Sequence, residues 1–409
     1  MKLITKGGIM NPISSINLEQ LPNEILAPIL EACVNPSLSS VCTRWRHLLV
    51  TEIMPSLYKQ IGKMHAPHTD VNKQAFILDR IYKLEEKLSE TEKVYAIFSQ
   101  IFTQVTSLSP LEFKWKTEEK RYFTLTNYCS YLVDINRLLM WKELGGGGEY
   151  LEREEIKALS LKEKGKLFKE WVENYSKDIT ELHLEKIGLT LLPAEIGQLS
   201  NLEVLSLKNN ELTTLPAEIG QLVQLKSLFL ENNPLTSLPV EIGQLSQLQW
   251  LFLADSQLTT LPAEIGQLSQ LQFFFLHNNR LITLPAEIGQ LLQLQGLSLE
   301  NNQLTTLPTE IGQLSQLQRL GLSNNELTTL PAEIGQLSQL QNLDLSNNNL
   351  ATVPAEIGQL RQLQELYLKN NPLTTLPAEI EHLLNELNLE LNKSRWGNFP
   401  QEIMQHLKL

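Results

Sequence analysis

The stretch LEVLSLKNNELTTLPAEIGQL, residues 202–222, decides the fold. Leu205 and Leu207 stand two apart, and in an extended chain such residues share a face, so both point inward from a short strand. Asn210 ends that strand, where its amide can bond backbone groups of the turn and of neighbouring coils that burial would otherwise leave unpaired. Further on, Ile219 and Leu222 are three apart, the spacing of a helical or 3₁₀ turn, and Pro216 sits early in that turn, where its missing N–H costs little.

The unit recurs. Pro193, Pro216, Pro239, Pro262, Pro285, Pro308, Pro331, Pro354, Pro377 and Pro400 follow one another at intervals of 23 residues, and Asn233, Asn279, Asn302, Asn325, Asn348 and Asn371 repeat Asn210. One unit cannot bury its own apolar face, so stability must come from stacking on neighbours, and a curved solenoid results. The ends depart from the pattern as capping units should: Ile187 replaces the first asparagine, and Glu386 and Ser394 replace a leucine and an asparagine in the last coil. Ser256 interrupts the asparagine series in the middle, and its hydroxyl is expected to bond locally.

With its L-x-x-L-x-L-x-x-N pattern, residues 179–409 resemble the leucine-rich repeats, in a short class reading LPxEIGxL. The resemblance implies an α/β leucine-rich-repeat solenoid with short parallel strands on its concave face, used for binding proteins.

Strand alternation then selects the concave positions, which flank the two inward leucines of each coil. Most coils carry small or polar residues there, such as Val204, Ser206 and Lys208, or Asn342, Asp344 and Ser346. The third to fifth coils carry Phe229 and Glu231, then Trp250 and Phe252, then Phe273, Phe275 and His277. Residues 23 apart should sit side by side on adjacent strands about 4.8 Å apart, which gives one row of Phe229, Phe252 and Phe275 and a second of Trp250 and Phe273. Such a cluster is the expected site for a target protein, extended by Tyr367 with Glu365 and Lys369. The competing reading is that the rings only stack on one another and stiffen the sheet. His277 is read as a packing residue, since no second His or Cys shares its row at ligand spacing, and no metal site is expected.

The first half reads as helices. Ile77, Ile81, Leu84 and Leu88 share one face, Val94, Ile97, Phe98, Ile101 and Val105 another, and Ser89 with Glu92 forms a capping box between them. A third helix is expected through Tyr128, Leu132, Ile135 and Leu139. Gly145–Gly148 carry too much backbone entropy for a helix interior and predict a flexible hinge. No Lys and Ser/Thr pair follows them, so a phosphate-cradling loop is not indicated. Ser160 and Glu163 should then cap a helix whose Leu167, Phe168, Trp171, Val172 and Tyr175 form a stripe covering the open end of the solenoid.

Residues 18–48, LEQLPNEILAPILEACVNPSLSSVCTRWRHL, form short amphipathic helices too small to fold alone. Through Leu21, Pro22, Glu24, Ile25, Leu26, Ile29, Leu30, Val41, Cys42, Trp45 and Arg46 they resemble the F-box, with its LPxEIL opening, IL pair and closing VCxxWR. The segment between the IL pair and VCxxW is about three residues, close to one helical turn, shorter than in most of that family. The resemblance implies docking on a Skp-type adaptor of a cullin-RING ubiquitin ligase through Leu21, Pro22, Ile25, Leu26, Ile29, Leu38, Val41 and Trp45. The expected organisation is an N-terminal extension (1–17), an F-box-like motif (18–50), a helical linker domain (51–144), the glycine hinge (145–148), a helical cap (149–178) and the repeats (179–409).

Composition bounds the remaining choices. At 409 residues the chain has room for two to four folding units, and 42% apolar with 20% charged residues fits a folded protein. Residues 1–178 carry 24 Lys/Arg against 23 Asp/Glu, while residues 179–409 carry 10 against 23. So acidic a second half argues against nucleic acid and anionic membranes as partners. Three cysteines, Cys33, Cys42 and Cys129, form no paired framework, and with no secretory leader or 18-residue apolar run the expected compartment is the cytoplasm.

The expected function is therefore a non-catalytic substrate receptor without cofactors, which tethers a target beside the ligase and acts by proximity. The alternative is a repeat scaffold with no ligase role. A thioester-forming ligase would need an activated cysteine, and none of the three has an evident activating neighbour. The near-identical repeats resemble those of bacterial proteins, whereas F-boxes work with eukaryotic ligases. Together they point to an effector that an intracellular bacterium delivers to its host's cytosol.

Overall fold

The structure, a computed structural model, describes residues 47–67, 69–109, 125–383 and 388–390. The N-terminal extension and most of the F-box-like motif, including Leu21 through Trp45, Cys33 and Cys42, lie outside the described residues. So do Glu386, Ser394 and the side chains of Tyr128 and Cys129.

The second half is a ten-stranded parallel sheet in which every strand pairs with its sequence neighbour. Its strands are β1 (Glu181–His183), β2 (Val204–Ser206), β3 (Ser227–Phe229), β4 (Trp250–Phe252) and β5 (Phe273–Phe275). They continue as β6 (Gly296–Ser298), β7 (Arg319–Gly321), β8 (Asn342–Asp344), β9 (Glu365–Tyr367) and β10 (Asn388–Glu390). Register is fixed at one period, so that Leu205 pairs with Leu228 and Leu228 with Leu251. Among the described residues the strands from β1 to β9 are each followed by a 3₁₀ turn such as Ala217–Gln221, which is preceded by its proline in extended conformation. The core lies between the two layers, where Leu205, Leu207, Leu212, Ile219 and Leu222 are wholly buried, and among the described residues the other coils repeat the set, with Phe274 for a leucine in the fifth.

Three local devices explain the constancy of the unit. First, the ladder asparagine bridges coils: Asn325 donates through Nδ2 to Leu299 O (2.9 Å) and Leu322 O (3.0 Å), while its Oδ1 accepts from Leu304 N–H (3.0 Å). Second, the residue before it is left-handed, with φ between 55° and 60° at Asn209, Asn232, Asp255, Asn278, Asn301, Asn324, Asn347 and Asn370, a conformation that Asn and Asp tolerate best. Third, a Cβ on the glycine of each 3₁₀ turn would meet the next coil, as at Gly266, where it would lie 2.5 Å from Glu287 O. Ser256 does not make its expected local bond: its hydroxyl is buried without a hydrogen-bond partner among the described residues, because it is too short to reach the carbonyls that an asparagine spans.

The first half comprises α1 (Met54–His65), α2 (Val71–Ile81), α3 (Glu90–Leu108), α4 (Leu125–Glu143), α5 (Gly147–Leu151), α6 (Glu154–Lys157) and α7 (Leu161–Tyr175). Ser89 and Glu92 make the reciprocal capping box of α3, and Ser160 and Glu163 make the same bonds before α7. Helix α2 ends at Ile81, so Leu84 and Leu88 do not continue its face; Lys83, at φ 50°, turns the chain towards α3. Phe168, Trp171 and Val172 are buried, the two rings against Trp141 of α4, but Tyr175 is 63% exposed and only stacks on Trp171.

Two expectations about the junction are revised. The glycines 145–148 form a packed turn, not a flexible hinge: Gly146 takes the left-handed conformation that closes it, and Gly147 opens α5 so close to Trp141 O that no side chain fits. The open end of the solenoid is met by α4 as well as α7. Inner coils send a backbone N–H to the preceding coil, as Thr236 N does to Thr213 O (3.0 Å). The first coil has none before it, and Asn136 of α4 supplies the acceptor, its Oδ1 taking Thr190 N–H (2.9 Å) and Leu191 N–H (3.2 Å). Arg137 beside it bridges Asp134 (3.0 Å) and Glu195 (2.6 Å). Burial raises the Asp134 carboxyl above the ordinary range, against the opposing pull of Arg137.

The helices also run along the solenoid's flank. The Thr213 hydroxyl donates to the His65 carbonyl, and the Arg280 guanidinium lies 5.6 Å from the Phe76 ring. The His65 imidazole, fully enclosed at this seam, is pulled down to about 4 by burial.

Candidate concave binding site

The in-register strands bring together the aromatic residues that the repeat period places side by side. Phe229 stacks on Phe252 at 4.8 Å between ring centroids and Phe252 on Phe275 at 4.5 Å, with planes 22° and 11° apart. Trp250 stacks on Phe273 at 4.2 Å, and the two rows run 6.3 to 6.4 Å apart. Every ring is half-buried, because its faces are covered by its neighbours while its edges stay in solvent. The rings therefore do stack, and a five-ring block stands on the concave sheet.

The two ends of the block differ. At the first end the Lys208 ammonium lies 4.3 Å from the Phe229 ring centre and is held by the Glu231 carboxylate at 2.9 Å. Glu231 is thus engaged within the chain. At the other end Phe273 and Phe275 wall a groove of about 580 Å³ that continues past Gly296, Ser298 and Gly321 to Asp344 and Tyr367. His277 lines the same groove, its Nδ1 3.1 Å from the Ser298 hydroxyl. Tyr367 therefore forms the far wall of a groove shared with the phenylalanines and does not extend their rows.

The sequence pattern did not single out the groove floor. Its signal was the pair Gly296 and Gly321, glycines at concave strand positions that most other coils fill with a side chain. The Glu300 carboxylate occupies the space over Gly321 and accepts from the Ser298 hydroxyl, while Asp344 accepts from Ser346 N–H at 3.0 Å. Arg319 stands exposed in the same groove and makes no ion pair or ring contact among the described residues. Among the described residues no group of three or more His, Cys, Asp or Glu could hold a metal ion, and no helix is long and apolar enough to cross a membrane.

A family model described as "Leucine-rich repeat region" matches residues 217–299 and 308–409. Two further leucine-rich-repeat models match residues 177–235 and 293–314, so that together they span 177–409. A search of curated proteins finds no match. Among solved structures, a Leptospira interrogans leucine-rich-repeat protein is 36% identical over 57% of this chain and 83% of its own, with a TM-score of 0.25. The plant peptide hormone receptor RGFR1 in complex with RGF2 is 30% identical over 53% of this chain, at a TM-score of 0.46. The Arabidopsis receptor kinase HAESA, in complex with the peptide hormone IDA and the co-receptor SERK1, is 28% identical over 54%, also at 0.46. This chain spans only 40% and 38% of those two plant chains. Over more than half its length, then, the chain belongs to the leucine-rich-repeat proteins.

Proposed function

We propose that this protein is a non-catalytic receptor that holds a segment of a target protein on its concave face, against the aromatic block and in the groove beside it. One observation carries the reading: five stacked, solvent-edged rings end at an open groove, on a sheet that does not need them. Neighbouring coils form the same strands with Val204 and Ser206, or with Asn342 and Asp344. Aromatic side chains bring large contact area at low entropic cost, which is why they anchor interfaces.

The test is selection of a random peptide library on the wild-type protein and on a Trp250→Ser, Phe252→Ser variant, whose new residues already stand at the equivalent positions of earlier coils as Ser227 and Ser206. Peptides that bind the first and not the second support concave capture. A pool that binds both equally contradicts it.

The F-box resemblance of residues 18–50 supports a finer reading, in which Leu21, Pro22, Ile25, Leu26, Ile29, Leu38, Val41 and Trp45 dock a Skp-type adaptor and the solenoid presents its target to a cullin-RING ligase in the cytosol. Its mechanism is proximity, with no bond made or broken by this chain. Calorimetric titration of a purified Skp-type adaptor should show saturable binding to the wild type and none to a Leu21→Asp, Ile25→Asp variant. Absence of binding by the folded wild type would leave a repeat scaffold without a ligase.

A further inference from the structure

We infer that the end of the aromatic block facing the groove takes a basic side chain, Lys or Arg, of the bound target, so that the preferred ligand is a cationic segment with apolar neighbours. The proposal rests on concave capture and specifies its chemistry.

The chain itself shows what the end of such a block binds. On the Phe229 side, Lys208 comes from the preceding coil to lie over the last ring, 4.3 Å from its centre, and the Glu231 carboxylate of the ring's own coil fixes it at 2.9 Å. A ring face attracts a cation through its quadrupole, and an adjacent carboxylate adds a charge-assisted hydrogen bond. The Phe275 side offers a ring face and a carboxylate without a cation, but His277 stands where the first end has Glu231, and the carboxylate comes from the next coil. The last ring faces the groove across the small Ser298, and the Glu300 carboxylate of the neighbouring coil, which lies over Gly321, accepts from the Ser298 hydroxyl. Asp344 lies further along the groove. Neither Glu300 nor Asp344 is in an ion pair among the described residues.

The other charged group of the groove, Arg319, reaches no ring and no carboxylate among the described residues, and its like charge opposes an incoming cation. Its removal should therefore strengthen binding. The surroundings favour a basic ligand at longer range too, since residues 179–409 carry 23 Asp/Glu against 10 Lys/Arg.

The experiment uses the full chain and a random dodecapeptide library, selected in parallel on wild type, Phe275→Ser, Glu300→Gln and Arg319→Ser, with the bound pools sequenced. The proposal predicts a wild-type pool enriched several-fold in Lys and Arg over the input. Its peptides should fail on Phe275→Ser, bind Glu300→Gln about tenfold more weakly, and bind Arg319→Ser at least as tightly. A pool that needs Phe275 but is neutral or acidic, or that is indifferent to Glu300→Gln, overturns the basic-ligand inference and leaves concave capture standing. A selection that yields no peptide dependent on Phe275, Trp250 or Phe252 overturns both.

Discussion

The third to fifth coils and the seventh to ninth share one frame and differ on one face. In both, buried apolar residues and the 3₁₀ turn occupy the same positions, its glycine replaced only by Glu381 in the ninth coil, and the same register joins the strands. On the concave side the first set carries five stacked rings and the second carries Arg319, Asn342, Asp344 and Tyr367. Positions that hold the coil vary little, with exceptions such as Ser256, because each touches the next coil; positions that face solvent vary freely, and there the chain has placed its specificity.

Frame positions should break first. Asn325→Ala would strand Leu304 N–H and leave Leu299 O and Leu322 O with only their second asparagine partners, Asn302 and Asn348, and at roughly 1 to 3 kcal/mol for an unsatisfied buried group the loss should reach about 3 kcal/mol, read as a lower urea midpoint.

A nearly equal effect is expected at the seam between helices and solenoid. His65 is held neutral by burial, with its pKa near 4 against about 6.5 when unfolded, so the unfolded chain binds the extra proton as pH falls. Its contribution is complete above about pH 6.5 and should shrink by about 3 kcal/mol on acidification to pH 4. His65→Gln should remove that part of the slope in urea melts taken across the window.

Gly289→Ala sets a new methyl against Glu310 O and should cost about 2 kcal/mol, measured in the same melts. Phe252→Ser should cost about 2 kcal/mol, the worth of its two stacking contacts, while abolishing ligand binding. If it unfolded the solenoid instead, the rings would belong to the frame and the comparison would fail. The smallest change runs the other way: Ser256→Asn should restore the missing ladder bonds and raise stability by roughly 1 kcal/mol, seen as a higher thermal midpoint.

Much of this contrast was legible from the sequence, and for a definite reason. A 23-residue period fixes which residues become neighbours, so the partners of Phe252 and the inward face of Leu205 follow from counting alone. Where no period operates, counting gave out. Gly147 reads as hinge material until Trp141 is seen packed against it, and nothing in the spacing marks Asn136 as the stand-in for a missing coil. The groove leaves little trace in the sequence for another reason: its floor is made by Gly296 and Gly321, which have no side chain to mark a contact surface.

The central claim is that the aromatic block binds and does not merely stiffen. It is tested most directly by calorimetric titration of one library-selected peptide into the wild type and into a Phe252→Ser, Phe275→Ser variant, with the unfolding midpoint of each recorded. The account predicts at least a hundredfold loss of affinity in a variant that still melts cooperatively. An affinity unchanged in the folded variant would contradict it and assign the rings to the sheet alone.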